Sequence, residues 1–192
     1  TGIMAARDDG DVVVGNSGDI EIYAGGRSYG IFAFATYGDV SVTNSGDISM
    51  LSHYDAQIGI QASTGNFFFG GGDVSVVNSG NISLHSDYGF ANAIGAVAGS
   101  VQNPYGNSYI RNSGDLDVFG QYNAAGIQTR ASEGKASIIN SGDVNVESAA
   151  VGYIYQPDQT VGIAALTFFG GDLTIQNTGD VNVNGYALAY GI

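Results

Sequence analysis

The sequence predicts an all-β fold in which one short unit is repeated and stacked, a parallel β-helix of about six turns with three strands in each turn. Two recurring motifs predict it. A unit close to Asn-Ser-Gly-Asp-Ile occurs six times, at spacings of 28, 34, 34, 28 and 37 residues. Its asparagines are Asn16, Asn44, Asn78, Asn112, Asn140 and Asn177. A second unit, Gly-Ile-x-Ala, recurs out of phase with the first, as in residues 30–33, 59–62 and 162–165.

Each turn contains three short runs in which apolar and polar residues alternate, and this period of two is typical of strands. In the second turn the runs are 31–35, which holds the Gly-Ile-x-Ala unit, then 39–44, and then 47–51. Their β-branched residues suit a pleated surface. The side chains predicted to face inward are Ile31, Ala33, Val40, Val42, Ile48 and Met50.

Parallel strands of successive turns pair about 4.8 Å apart, so equivalent residues should stack in columns. The second strand is predicted to contribute the inward columns Val12, Val40, Val74, Ser108, Ala136, Leu173 and Val14, Val42, Val76, Ile110, Ile138, Ile175. The third strand is predicted to contribute Ile20, Ile48, Ile82, Leu116, Val144 and Val181. One turn cannot bury its apolar face alone, so stability must come from contacts between neighbouring turns.

The Asn-Ser-Gly unit between the second and third strands is predicted to form a tight corner. Glycine accepts backbone conformations closed to other residues, and asparagine and serine hydrogen-bond the backbone of turns. Stacked asparagines can also hydrogen-bond one another along a ladder. The six asparagines are therefore interpreted as structural corner residues.

Composition limits the classes of partner. With 18 acidic and 5 basic residues the formal net charge is −13, which argues against binding to nucleic acid or to anionic membrane surfaces. No run of about 20 apolar residues exists, so no membrane-spanning segment is predicted. The chain has no cysteine and therefore uses no disulfides.

The repeat pattern covers residues 1–192 as a single β-solenoid domain, and both ends of the sequence lie within it. Repeat arrays normally end in atypical polar caps. No such cap is recognisable, so we expect the chain to be an excerpt of a longer repeat array. The alternative is a unit that stacks end to end with other copies.

The unit Gly-Asp-Val-Ser-Val-Thr-Asn-Ser-Gly-Asp-Ile, residues 38–48, resembles the repeats of autotransporter-type surface proteins and related large adhesins of Gram-negative bacteria. The resemblance covers essentially the whole chain. It implies a β-helical passenger at the outer cell surface or outside the cell. Together with the general preference for right-handed crossovers, it implies a right-handed parallel β-helix. Enzymatic passengers of this family usually carry their active groups in inserted domains, and no insertion here is large enough to be one.

An outward column of acidic residues is a candidate calcium site. Asp19, Asp47, Asp115, Asp143 and Asp180 each follow the corner glycine, with Asn81 in the remaining turn. Carboxylates about 4.8 Å apart repel one another, and Ca²⁺ binds carboxylate and carbonyl oxygens. The alternative is that each aspartate caps its own turn while water and salt screen the charge. No other cofactor is predicted.

Longer loops between the first and second strands carry aromatic residues that could bind a partner. These residues are Phe67, Phe68, Phe69, Tyr105, Phe168 and Phe169. The alternative is that the loops cover the flank of the solenoid or pack against a sister chain.

The predicted function is a non-enzymatic structural or adhesive stalk of a bacterial surface or secreted protein, with a cell-surface ligand or another copy as its partner. Two other functions stay open. One is a fibre subunit that associates through its open ends, and the other is a β-helix that binds or cleaves carbohydrate. A hydrolytic site around His53 or His85 has weak support, because it needs a serine and a carboxylate to converge on one of them.

Overall fold

The computed structural model describes residues 1–65, 70–99, 105–149, 159–185 and 188–192. These residues form nineteen strands and no helix. The strands of the first three turns are β1 (Ile3–Asp9), β2 (Val12–Asn16), β3 (Ile20–Ala24), β4 (Ser28–Tyr37), β5 (Val40–Asn44), β6 (Ile48–Ser52), β7 (Gln57–Thr64), β8 (Val74–Asn78) and β9 (Ile82–Ser86). Those that follow are β10 (Ala91–Ala98), β11 (Ser108–Asn112), β12 (Leu116–Gly120), β13 (Ala124–Ala131), β14 (Ala136–Asn140), β15 (Val144–Ser148), β16 (Gln159–Thr167), β17 (Leu173–Asn177), β18 (Val181–Asn184) and β19 (Leu188–Tyr190).

Every third strand joins the same parallel sheet, so the chain visits three sheets in each turn. The first sheet is β1-β4-β7-β10-β13-β16-β19, the second is β2-β5-β8-β11-β14-β17, and the third is β3-β6-β9-β12-β15-β18. This is the predicted parallel β-helix with three strands per turn and about six turns. Successive turns pair in parallel register, with Val12 opposite Val40 and Ile20 opposite Ile48.

The core is the set of inward columns that the alternation predicts. Ile31, Ala33 and Val42 have no exposed surface, and Val40, Ile48 and Met50 are at most 2% exposed. The polar member of one column, Ser108, is also buried, and its hydroxyl accepts a hydrogen bond of 2.6 Å from Thr129 Oγ1. Burial decreases in the sixth turn, where Leu173 is 54% exposed because no further second-sheet strand lies beyond it.

The first-sheet strands differ from the prediction in length. β4 runs from Ser28 to Tyr37, well beyond the predicted 31–35, and both Gly30 and Ile31 are buried within it. A side chain on Gly30 could not fit, since its Cβ would lie 2.6 Å from the carbonyl oxygen of Gly59 and 2.8 Å from Ile48 Cγ2. The absence of a side chain at Gly30 thus allows the first part of β4 to pack directly against Ile48 of the third sheet.

In the part of the chain that the structure describes, no helix has the length and apolar character needed to cross a bilayer.

Candidate functional site

A continuous asparagine ladder follows the corner between the second and third sheets. Each asparagine amide nitrogen donates to Oδ1 of the asparagine one turn further along, at 2.7–2.8 Å from Asn16 to Asn177. The same nitrogen donates to the carbonyl of the glycine two residues later, as Asn78 does to Gly80 at 2.7 Å. Asn44, Asn78, Asn112 and Asn140 are 1% exposed. The ladder therefore satisfies a row of buried amides and ties each turn to the next.

The glycine of the corner is required by close approach between turns. A Cβ on Gly80 would lie 2.0 Å from the carbonyl oxygen of Gly46, and a Cβ on Gly114 would lie 2.0 Å from that of Gly80. Gly18, in the first turn, has no heavy atom within 4 Å of the same position. The carbonyl oxygen of each corner glycine, up to Gly142, therefore lies in the space that the missing side chain of the next corner glycine leaves.

The outward aspartate column caps the backbone of neighbouring turns. Asp19 Oδ1 accepts a hydrogen bond of 3.0 Å from the backbone N–H of Asp47, and Asp47 Oδ1 accepts one of 2.8 Å from Asn81. The pattern continues through Asp115 and Asp143 to the N–H of Asp180. Each side chain serves the following turn, whereas the sequence suggested that it would cap its own.

A second column of the same kind precedes the second sheet. Asp11, Asp39 and Asp73 each accept a hydrogen bond from the backbone N–H one turn further along, at 2.7–3.0 Å. Asn107 continues the pattern by accepting from the N–H of Lys135 at 3.0 Å. Asparagine can replace aspartate here because its Oδ1 serves as the acceptor, and its Nδ2 also donates to Asp73 Oδ1 at 3.1 Å.

The acidic columns do not gather into a metal centre where the structure describes them. Across residues 1–65, 70–99, 105–149, 159–185 and 188–192, no group of three or more His, Cys, Asp or Glu side chains is placed to hold a metal ion. The aspartates stand in single file, and Asp19, Asp47, Asp115 and Asp143 each have one oxygen bonded to a backbone N–H of the next turn. The calcium hypothesis stays a prediction, which a melting experiment tests below.

The aromatic loops lie at the corner between the first and second sheets. Tyr105 is 72% exposed, and Phe168 and Phe169 are both more than 60% exposed. Two turns separate Tyr105 from the phenylalanine pair, which corresponds to roughly 10 Å along the axis. Phe67, Phe68 and Phe69 lie outside the described residues.

An exposed cluster of histidine, aspartate and aromatic side chains lies at the remaining corner, where the third sheet leads to the first. His53 Nδ1 is 2.8 Å from Asp87 Oδ2, and His85 Nε2 is 3.0 Å from Asp87 Oδ1. The carboxylate therefore bonds a histidine of the preceding turn through one oxygen and a histidine of its own turn through the other. The rings of Tyr54 and Tyr88 stack with their centroids 5.9 Å apart, and both side chains are more than half exposed.

The histidines change the acidity of the carboxyl between them. A hydrogen bond from His53 is the largest cause that lowers the pKa of Asp87. The hydrogen bond from His85 and the charges of both imidazoles also lower this pKa, whereas partial desolvation of the carboxyl raises it. His85 also stacks on Phe119, with 4.5 Å between ring centroids. This arrangement orients the imidazoles, but the carboxylate is already occupied on both sides.

The sequence contains a signal for this cluster that composition does not reveal. His53 and Asp87 are each the first residue after a third-sheet strand, so the register of β6 and β9 makes them neighbours. Tyr54 and Tyr88 occupy the next position of the same corner. Aligning the loops by strand register, not by motif, would have brought the four residues together.

No family model, curated protein or solved structure matches this chain. Arguments about its function therefore depend on its own geometry.

Proposed function

We propose that the chain is a non-enzymatic structural segment, a β-helical stalk of a bacterial surface or secreted protein of the autotransporter or adhesin type. The observation that carries the proposal is the uninterrupted asparagine ladder, in which a buried amide hydrogen bond connects every turn to the next. Alongside it, strands of equivalent position pair in parallel from one turn to the next. Such a stack resists separation of its turns because many hydrogen bonds must break together.

Force measurement on single molecules tests the mechanical part of the proposal. The chain is pulled from its two ends, and the force needed to unfold it is compared with that of Asn78→Asp. The carboxylate cannot donate to Gly80 or to Asn112, so buried acceptors lose their partners at a cost of about 3 kcal/mol or more. We expect a clear fall in unfolding force.

Asn145→Asp is the matched control. Asn145 makes a similar contact between turns, since its Oδ1 accepts a hydrogen bond of 3.0 Å from Asn182 Nδ2. However, Asn145 is exposed, and an aspartate in its place keeps the Oδ1 acceptor. Its unfolding force should stay at the wild-type value. Equal forces for wild type and Asn78→Asp would show that the ladder carries no load and would contradict the proposal.

The proposed location is tested by protease treatment of intact source cells. A surface or secreted protein yields peptides of this chain in the medium or from unbroken cells. Peptides recovered after lysis alone would exclude that location.

The adhesive part of the proposal rests on the exposed aromatic loops. Phe168 and Phe169 are both more than 60% exposed, so most of each side chain is available for contact. Replacing both by alanine should reduce attachment of the chain to the surface it recognises while its melting temperature stays unchanged. Unchanged attachment would remove these two residues from the partner site.

We also propose that the isolated 192-residue chain associates through its edge strands. Asn16 Oδ1 accepts no hydrogen bond from the described residues, and the ladder continues from it in one direction only. Another turn of the repeat, from a second copy, would donate to this oxygen. Sedimentation velocity should show species that grow with concentration, and a strictly monomeric chain would contradict this proposal.

A further inference from the structure

The five inner strands of the first sheet differ in charge from the rest of the molecule, including the edge strand β1, which carries Arg7, Asp8 and Asp9. Strands β4, β7, β10, β13 and β16 contain no acidic residue, although the chain has 18. Their single charged residue is Arg130, which is exposed. Arg130 forms no ion pair with any residue that the structure describes. A guanidinium in this setting favours an anionic group, and carboxylates are the planar anions that it binds best.

A cleft lies beside Arg130 because one position of an outward column has no side chain. Gly95 is flanked in register by Gln61 on β7 and Gln128 on β13. The space above Gly95 has a volume of about 170 Å³ and is lined by these two amides, Asn92, Arg130 and the apolar residues Ala96 and Val97. The site is therefore concave, lined mainly by polar side chains and the size of one small molecule.

Asn92 supplies an independent sign that something polar belongs in this cleft. Its neighbours in register are Ile58 and Ala125, which are 7% and 8% exposed, so an apolar residue would fit the column better. Its Oδ1 atom is buried without a hydrogen-bond partner, whereas its Nδ2 atom faces the space above Gly95, 3.4 Å from where a Cβ of that residue would lie. The amide nitrogen is therefore the atom that Asn92 offers to a ligand in the cleft, and it offers a donor.

We propose that the cleft around Gly95 binds a hydroxylated carboxylate the size of one sugar residue, that is, an acidic monosaccharide unit of a glycan. The carboxylate contacts Arg130, and hydroxyl groups bond Asn92 Nδ2 and the amides of Gln61 and Gln128. Hydroxyls both donate and accept, as the three amides do, so one ligand can satisfy all of these groups. Phe32, next to Gln61 in the same column and partly exposed, offers a ring face for the adjoining sugar.

Other carboxylates fit the cleft less well. An acidic peptide side chain presents only acceptors and leaves the amide oxygens of Gln61 and Gln128 without a donor. A free amino acid carries an ammonium group, and none of the sheet strands that line the cleft provides a carboxylate to neutralise it. The hydroxyl and the carboxylate together therefore define the ligand class.

Saturation-transfer NMR on the 192-residue chain tests this, with glucuronate and galacturonate as probes. We expect at least one of them to bind with a Kd on the order of 1 mM, since a single sugar covers little surface. Glucose, acetate and glycine should each bind about tenfold more weakly or not at all, because each lacks one of the two features. Arg130→Gln should weaken uronate binding about tenfold, and added salt should weaken it in the wild type.

Gly95→Val fills the cleft and should abolish binding. The new Cβ would lie 2.8 Å from Gln61 Oε1, the far end of a flexible side chain, so the fold and the melting temperature should be retained. Gly15→Val is the matched control, an exposed outward glycine of the second sheet with no heavy atom within 4 Å of its Cβ position, and it should bind as wild type does. Absence of uronate binding, binding that survives Gly95→Val, or equal binding of acetate or glycine would overturn the proposal.

Discussion

At the scale of single residues, close approach of backbones decides where this solenoid tolerates a side chain. The corner glycines after each ladder asparagine have no unusual backbone angle, since none of them is among the glycines with positive φ. They are needed because the carbonyl of the preceding turn occupies the space of a Cβ. The cause is the stacking of turns, so the requirement exists only where a turn lies beneath.

Gly80→Ala tests this argument. Its Cβ would lie 2.0 Å from the Gly46 carbonyl oxygen, and because that neighbour is backbone, the two turns must separate. We expect a loss of unfolding free energy of about 3 kcal/mol or more, at the upper end of overpacking effects. Urea denaturation measures it.

Gly18→Ala is the control for that substitution, because the same position in the first turn meets no heavy atom within 4 Å. It should change the stability of the 192-residue chain by no more than about 0.5 kcal/mol. Equal effects of the two substitutions would mean that intrinsic backbone preference, and not contact between turns, requires the glycines.

The carboxyl group of Asp87 predicts a specific dependence on pH. Because hydrogen bonds from His53 and His85 lower its pKa in the folded protein, the bridge contributes stability above the carboxyl's ordinary pKa. That contribution should be lost as the pH falls through the lowered, folded-state pKa. Between about pH 5 and about pH 2, the wild type should therefore lose more stability than Asp87→Ala does.

The two chains are compared by thermal melting across this range, and carbon NMR of the carboxyl group gives the titration directly. In His53→Gln the pKa of Asp87 should move upward, toward its ordinary value, because the largest cause of the shift has been removed. Parallel pH profiles for the wild type and Asp87→Ala would show that the bridge does not contribute.

At the scale of elements, side-chain oxygens replace missing backbone acceptors at the start of strands in the second and third sheets. Just before β5 and β6, the backbone N–H groups of Asp39 and Asp47 donate to the aspartate one turn earlier. The strands then continue the pairing through their own backbone, as Val12 N–H does with the Asp39 carbonyl. The oxygen matters in these columns, and the negative charge adds only repulsion between turns.

Asp47 distinguishes the oxygen from the charge. Asp47→Asn keeps Oδ1 for the N–H of Asn81 and removes one of several stacked charges, so stability should stay constant or rise. Asp47→Ala removes the acceptor and should cost about 1 kcal/mol, as loss of a helix cap does. Urea midpoints for both variants measure this difference. A loss on Asp47→Asn equal to that on Asp47→Ala would mean that the charge itself stabilises the turn.

At the scale of the whole molecule, periodicity predicts most of the architecture and little of the chemistry. Each turn contains three runs of alternating residues, such as the run that holds Val40 and Val42, and these predict three strands per turn. Each run must turn its apolar side toward the core, where neighbouring turns cover it. Positions that break the repeat are harder to interpret. The cleft at Gly95 depends on a missing side chain between two glutamines, which the repeat does not predict. His53 and Asp87 are equivalent positions of the repeat, so the stacking places them together, but the repeat does not say which residue types stand there.

The distribution of charge over the whole molecule predicts how salts act on stability. The chain carries a net charge of −13, and its two acidic columns stack like charges about 4.8 Å apart, well within the screening length of roughly 10 Å at 0.1 M salt. Raising sodium chloride from about 0.01 M to about 0.5 M should therefore raise the melting temperature by screening repulsion.

Calcium chloride and magnesium chloride, each at the same ionic strength, should raise the melting temperature equally. The aspartates of the outward column stand in single file, and each has one oxygen that is already bonded to the next turn or faces it. These residues are Asp19, Asp47, Asp115, Asp143 and Asp180. A rise specific to calcium would show instead that carboxylates of this chain bind the ion, and Asp47→Asn would then reduce the rise if the column is the site.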